Sequence, residues 1–117
     1  MRHAAIKVWR RQNELLTLNV MIADSFWLRL RGLLARPPLI VQQSMWIAHC
    51  DSVHSFFMRY SIGVVFLDTS GVVVKIVGCL RPWRMSFCFT AASVLEFHSS
   101  ADALALLMPG DRIEWLN

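Results

Sequence analysis

Runs and alternations of apolar residues divide this chain into short segments, most of them of strand length. Ile6 to Trp9 and Leu15 to Val20 flank the polar stretch Arg10-Arg11-Gln12-Asn13-Glu14, which predicts an opening hairpin. After Asp24 and Ser25 the spacing changes. Phe26, Trp27, Leu30, Leu33 and Leu34 recur at helical intervals, with Arg29 and Arg31 off that face. Asp24 or Ser25 can accept a hydrogen bond from a free N–H of the first turn. Arg36-Pro37-Pro38 ends the pattern, because proline lacks a donor and restrains the residue before it. A main helix over about 25–35 is therefore expected. Met45 to Ala48 predicts a short strand, and Cys50-Asp51-Ser52 a turn. Ile62 to Leu67 and Val72 to Val77 are β-branched runs on either side of Asp68-Thr69-Ser70-Gly71, a strong hairpin signal. Their near-continuous apolarity predicts strands buried on both faces. Gly78 to Phe89 is less regular, and Arg81-Pro82-Trp83-Arg84 within it reads as a loop with an aromatic anchor. Ser93 to Phe97 predicts a strand. Ala101 to Met108 predicts a short second helix, stopped by Pro109-Gly110-Asp111, and Arg112 to Leu116 a closing strand.

These elements predict an α+β, β-rich fold: a small antiparallel barrel- or sandwich-like sheet, covered by the main helix at about 25–35 and the short helix at about 101–108. A doubly wound sheet would need regular strand–helix alternation, which the pattern lacks. The 117 residues provide for one domain, 1–117. Apolar residues make up 56% and charged residues 17%, so the chain has ample apolar surface to offset ordering entropy, and disorder is excluded. The apolar excess also favours a self-association face or a cleft. No uncharged apolar run reaches the length of a membrane-spanning helix. Lys7, Arg10 and Arg11 interrupt the first apolar stretch, so it does not read as a secretory signal, and a cytoplasmic location is expected.

The net charge of +4 is unevenly spread. Residues 1–36 carry seven Arg or Lys against Glu14 and Asp24, whereas residues 37–117 carry five against six acids. That asymmetry fits either an anionic partner or a solvated basic face. Cys50, Cys79 and Cys88 form no Cys-x-x-Cys pair, which argues against a disulfide framework or zinc ribbon and for free, partly buried thiols.

The polar residues that could carry chemistry gather around residues 49–60 and 81–84. Cys50 and His54 can act as nucleophile and base if they meet in space. His49, Cys50, Asp51 and His54 hold metal-ligand atoms, but their spacing matches no standard zinc pattern, and ordinary turn chemistry is the simpler reading. No metal and no cofactor is expected. Arg59, Arg81 and Arg84, with Tyr60 and Trp83, can form an aromatic-lined anion site or structural cation–π contacts. Glu96, inside Val94-Leu95-Glu96-Phe97, either points to solvent or pairs with a buried Arg. The sequence lacks a Gly-rich phosphate loop, a Gly-x-Ser-x-Gly elbow and a His-Glu-x-x-His helix.

From Asp24 to Trp115 the chain resembles the domain-of-unknown-function 192 family, small proteins of bacteria and archaea. The resemblance rests on an ordered set: Arg31-Gly32-Leu33-Leu34-Ala35-Arg36, Ser44-Met45-Trp46-Ile47, Val53-His54-Ser55-Phe56-Phe57-Met58-Arg59, Val64-Val65-Phe66-Leu67-Asp68, Arg81-Pro82-Trp83-Arg84, Val94-Leu95-Glu96 and Pro109-Gly110-Asp111. Phe57 stands where the family usually has Gly. Ser61 and Gly63 stand where it often has Pro and Asp, and Ser100 where Gly is common. Many relatives look exported or membrane-tethered. The resemblance implies a fold and no established activity.

The leading expectation is a non-enzymatic binding or accessory module whose surface combines His54, Arg59, Arg81, Trp83 and Arg84, for a small anionic ligand or a protein partner. The alternative is a small hydrolase using Cys50 and His54. Third is a weak nucleic-acid binder acting through the basic N-terminal third.

Overall fold

The computed structural model describes residues 2–23, 44–56 and 58–116. β1 (Arg2–Arg10) and β2 (Asn13–Ala23) form the predicted opening hairpin. They are followed by β3 (Ser44–Ala48), β4 (Ser52–His54), β5 (Ile62–Leu67), β6 (Val73–Leu80), β7 (Met85–Phe87), β8 (Ser93–His98), the helix α1 (Asp102–Leu106) and β9 (Arg112–Trp115). Seven strands make one sheet in the order β6-β5-β8-β3-β2-β1-β9, while β4 and β7 pair in a separate two-stranded layer.

The sheet has two buried faces because its strands alternate between two apolar clusters. Ile62, Val64, Phe66, Met45, Ile47 and Val94 point to one, together with Val53 and Met58. Val65, Leu67, Leu95, Phe97, Ile6 and Val8 point to the other. Period-two side-chain direction makes both faces apolar wherever a strand reads as a continuous apolar run. β5 fits that expectation, since all six of its residues are buried. Leu104 and Leu107, in and just after α1, close the inner cluster, and Val53 of β4 packs on the outer one.

The sheet curls until its edges meet. Val72 bridges Arg112, the Val73 N–H donates to the Asp111 carbonyl at 2.7 Å, and the Ile113 N–H donates to the Gly71 carbonyl at 2.9 Å. Gly71 sits at φ 79°, and a Cβ there would lie 3.2 Å from the Ile113 carbonyl oxygen, so a side chain would crowd the junction. Beside it, buried Asp111 receives Arg10 Nε at 2.9 Å, Arg10 Nη2 at 3.0 Å and the Met108 N–H at 2.8 Å. Arg10 Nη2 also donates to the Leu106 carbonyl at 2.7 Å, tying β1 to the end of α1. The hydrogen bonds from Arg10 hold the Asp111 carboxyl below its ordinary pKa. Burial opposes that shift, and the Met108 N–H and the Arg10 charge reinforce it.

The sequence expectations need five corrections. The sheet is mixed, because β2 and β3 run parallel. A parallel pair needs a connection of about a dozen residues or more, and twenty residues separate Ala23 from Ser44 in the sequence. The edges touch through one bridge rather than a ladder, so the described strands form no closed barrel. The predicted main helix at about 25–35 lies outside the described residues, and among those residues α1 is the one helix, shorter than the expected 101–108. β6 is not buried on both faces: Lys75, Gly78 and Cys79 are exposed, as suits an edge strand. Glu96 does not point to solvent but is fully buried, and its Cα pairs with those of Met45 and Val64.

Candidate functional site

The residues expected to form a binding surface fall on the β4–β7 layer and its flanking turns. The register sets Met85 opposite His54 and Phe87 opposite Ser52. Directly opposed residues share a face, so His54 and Met85 look the same way, while buried Val53 looks into the outer cluster. Phe56 continues the layer beyond β4. Its ring stacks on His54 at 4.9 Å between centroids and on Trp83 at 5.9 Å, which gives a three-ring ladder.

Ser55 positions this ladder. The turn Arg81-Pro82-Trp83-Arg84 has proline second and a positive φ of 64° at Trp83, the pattern of a type II turn. That third position usually holds Gly, because a left-handed conformation brings Cβ against the following carbonyl oxygen. In an ordinary turn the first carbonyl accepts from the fourth N–H. Here the Ser55 hydroxyl stands between them, donating to the Arg81 carbonyl and accepting from the Arg84 N–H at 3.0 Å. The Ser55 N–H donates to the Arg84 carbonyl at 2.9 Å, and the Ser55 carbonyl accepts from the Trp83 N–H at 3.0 Å. Ser55 is fully buried and holds the turn at four points, so the strain at Trp83 is countered locally.

Trp83 is therefore not an inward aromatic anchor. It is 55% exposed, and Arg81 and Arg84 are exposed on either side of it. Arg59 is exposed on the chain leaving Phe56, next to Tyr60, whose ring stacks on His98 at 6.3 Å. His54 Nδ1 accepts from the Phe56 N–H at 3.3 Å. The structure thus joins His54 and Trp83 through Phe56, and pins the backbone of Arg81 and Arg84 through Ser55. Neither link was part of the sequence reading. A serine surrounded by Val53, His54, Phe56 and Phe57 was the signal for Ser55, since a hydroxyl inside an apolar run needs internal partners.

The Cys50 thiol donates to the Ser52 carbonyl at 2.9 Å, the local bond of a turn residue. Among the described residues, no group of three His, Cys, Asp or Glu side chains is placed to hold a metal ion.

A concavity lies where the sheet edges meet, away from that face. This cleft of about 410 Å³ is walled by Trp46, Ile113 and Trp115 and by the Asp68–Gly71 turn, with His49 and Ser93 at its rim. The Trp46 and Trp115 rings meet edge to face at 4.8 Å. The Trp46 indole N–H is buried and has no hydrogen-bond partner among the described residues. Trp46 and Trp115 are far apart in sequence, and only the curl of the sheet brings them together.

Comparison with known proteins fits this fold. The sequence profile of the DUF192 family, described as "Uncharacterized ACR", matches residues 7–115. A UPF0127 protein of Pyrococcus abyssi is 36% identical over 101 residues, covering 83% of this chain and 86% of its own length. A Pyrococcus furiosus UPF0127 protein is 34% identical over 102 residues, covering 84% of this chain and 87% of its own. Among solved structures, a proposed transcription regulator from Sinorhizobium meliloti superposes with a TM-score of 0.82 at 17% identity, over 97% of this chain and 94% of its own. A protein of unknown function from Novosphingobium aromaticivorans gives a TM-score of 0.76 at 17% identity, over 95% and 84%. Strand order, ordered motifs and these matches converge: the chain belongs to the DUF192 family.

Proposed function

We propose that this protein is a non-enzymatic binding module whose β4–β7 face takes an anionic partner. The observation that supports this reading most is the clamped turn, in which Ser55 holds Trp83 exposed at a left-handed φ between two exposed arginines. A core-filling tryptophan gains nothing from that position, and backbone strain of this kind clusters at binding sites. Arginine presents a planar fork of donors to carboxylate or phosphate, and Trp83, Phe56 and His54 give a neighbouring aromatic platform. The hydrolase alternative gains no support from Cys50, whose thiol proton goes to a backbone carbonyl. Nucleic-acid binding gains no residue from the Sinorhizobium neighbour, since 17% identity carries the fold alone.

Retention on a phosphate-bearing cation-exchange resin tests the proposal. The variant Arg59→Ala/Arg81→Ala/Arg84→Ala should elute at markedly lower salt than the parent. Arg2→Ala/Lys7→Ala/Arg11→Ala, with the same loss of net charge, should shift elution much less. Equal shifts would mean that the resin reads only total charge, and the proposed face would then be rejected.

A further inference from the structure

The outer face of the β4–β7 layer is apolar where a solvent-facing strand should be polar. Met85 and Phe87 alternate along β7, and Phe89 continues the spacing. They are 63%, 53% and 87% exposed, and Trp83 precedes them at 55%. Phe87 and Phe89 touch, with ring centroids 5.0 Å apart. At about 200 Å² for each large side chain, the four expose roughly 500 Å², near the upper end for the largest apolar patch on a monomer. All four are more than half exposed and recur at every second position, so they stand out as a ridge; none of them lines the cleft by Trp46 or the smaller cavity by Thr17.

The segments that carry the ridge and its neighbours are rich in exposed cations. Arg59, Lys75, Arg81 and Arg84 are all exposed, and residues 52–61 and 75–91 contain no acid. Lys75 Nζ lies 5.8 Å above the Phe87 ring and donates to the Phe87 carbonyl at 2.9 Å, which fixes one charge beside the apolar ridge. Asp51, exposed next to Ser52, is the nearest acid in sequence. A second copy of this chain would bring the same four cations against them. An anionic occupant is favoured instead, and it must accept a protruding ridge without offering a preformed slot.

We propose that this face docks on the surface of a bilayer containing anionic lipid. Trp83, Met85, Phe87 and Phe89 enter the headgroup–acyl boundary, and Arg59, Lys75, Arg81 and Arg84 lie against the lipid phosphates. Indole and phenyl rings partition to that boundary, long basic side chains reach from it to the headgroups, and apolar area combined with basic charge is the requirement for interfacial binding. The inference rests on the anion-binding reading above and narrows it to one partner.

Co-sedimentation with vesicles tests it, using pure phosphatidylcholine and phosphatidylcholine mixed with phosphatidylglycerol. The intact chain should bind the mixed vesicles and not the neutral ones. Phe87→Ser/Phe89→Ser should weaken binding at least tenfold with an unchanged urea midpoint, since both side chains are exposed. Removing each of Arg59, Arg81 and Arg84 should cost about fivefold. Brominated acyl chains should quench tryptophan fluorescence of the parent and not of Trp83→Phe. Three results would overturn the proposal. One is a parent chain that ignores the mixed vesicles while still showing arginine-dependent retention on the phosphate resin, which leaves the anion-binding reading standing. Another is vesicle binding that is indifferent to Phe87→Ser/Phe89→Ser. The third is a dimer in sedimentation that the same double variant abolishes, which would make a second copy the occupant.

Discussion

Gly63 and Leu104 form one packing unit, and substituting them singly and together measures how tightly α1 closes the inner core. A Cβ built on Gly63 would contact Leu104 Cδ1 at 3.0 Å and Cγ at 3.2 Å, and would overlap Cδ2 outright. Leu104 is 6% exposed, so its side chain has little free space to turn into. Overpacking of this kind costs about 1–3 kcal/mol. Replacing a strand glycine by alanine returns about 0.5–1 kcal/mol through the unfolded chain, so Gly63→Ala should lose a net of about 1–2 kcal/mol. Leu104→Ala should lose about 2–4 kcal/mol through lost burial and the cavity left behind. In the double variant the new methyl group occupies part of that cavity, so the combined loss should fall short of the sum by about 1–2 kcal/mol. Urea unfolding of the four proteins gives the coupling directly, provided the slopes agree. Additivity within about 0.5 kcal/mol would refute the idea that Leu104 stands where a side chain at 63 would go. Asp at position 63 should be tolerated worse than Ala, for the same steric reason and because its carboxylate would face Val65 and Leu95 in the inner cluster.

Two further predictions concern the polar clamps. Asp111→Asn should lower stability at neutral pH by about 1.5–3 kcal/mol, because it removes a charge-assisted pair with Arg10. The Asp111 carboxyl is held below its ordinary value of 3.8. Its contribution is therefore complete above that value and lost as pH falls through the lower folded-state value, and urea midpoints taken from pH 5 downward should show a shallower acid slope in the variant than in the parent. Ser55→Ala should cost about 1–3 kcal/mol and speed amide exchange at Arg84, whose N–H loses the hydroxyl acceptor. Unchanged exchange there would mean that the turn holds itself.

The legible parts of the fold were those where one local rule decides. Ile62–Leu67 is apolar throughout because both faces of β5 are buried, and Asp68–Gly71 turns the chain because Asp68 Oδ1 accepts from the Ser70 and Val72 N–H groups. The hairpin of β1 and β2 was equally plain from its polar turn. β4 and β7 were missed because three residues carry too little periodicity to distinguish a strand from a loop. The parallel pairing of β2 with β3 is a property of the connection, invisible in either strand's own pattern. At the candidate site, His54, Arg59, Arg81, Trp83 and Arg84 were found by residue type. Their linkage through Phe56 and Ser55 was not, because it depends on residues about 27 positions apart meeting across β4 and β7. The tryptophan-walled cleft was hidden for the same reason.

The junction near Val72 and Arg112 has a wider thermodynamic meaning. A cylinder laced by full ladders opens only by coming apart altogether, whereas the edges of this curled sheet are fastened by a clasp. The least costly excursion is a parting between Gly71–Val73 and Asp111–Ile113, which wets the interior around Ile113 while β5, β8 and β3 stay assembled. The two apolar clusters therefore need not melt as one, and the Arg10–Asp111 pair lies beside the seam at which the inner one would open.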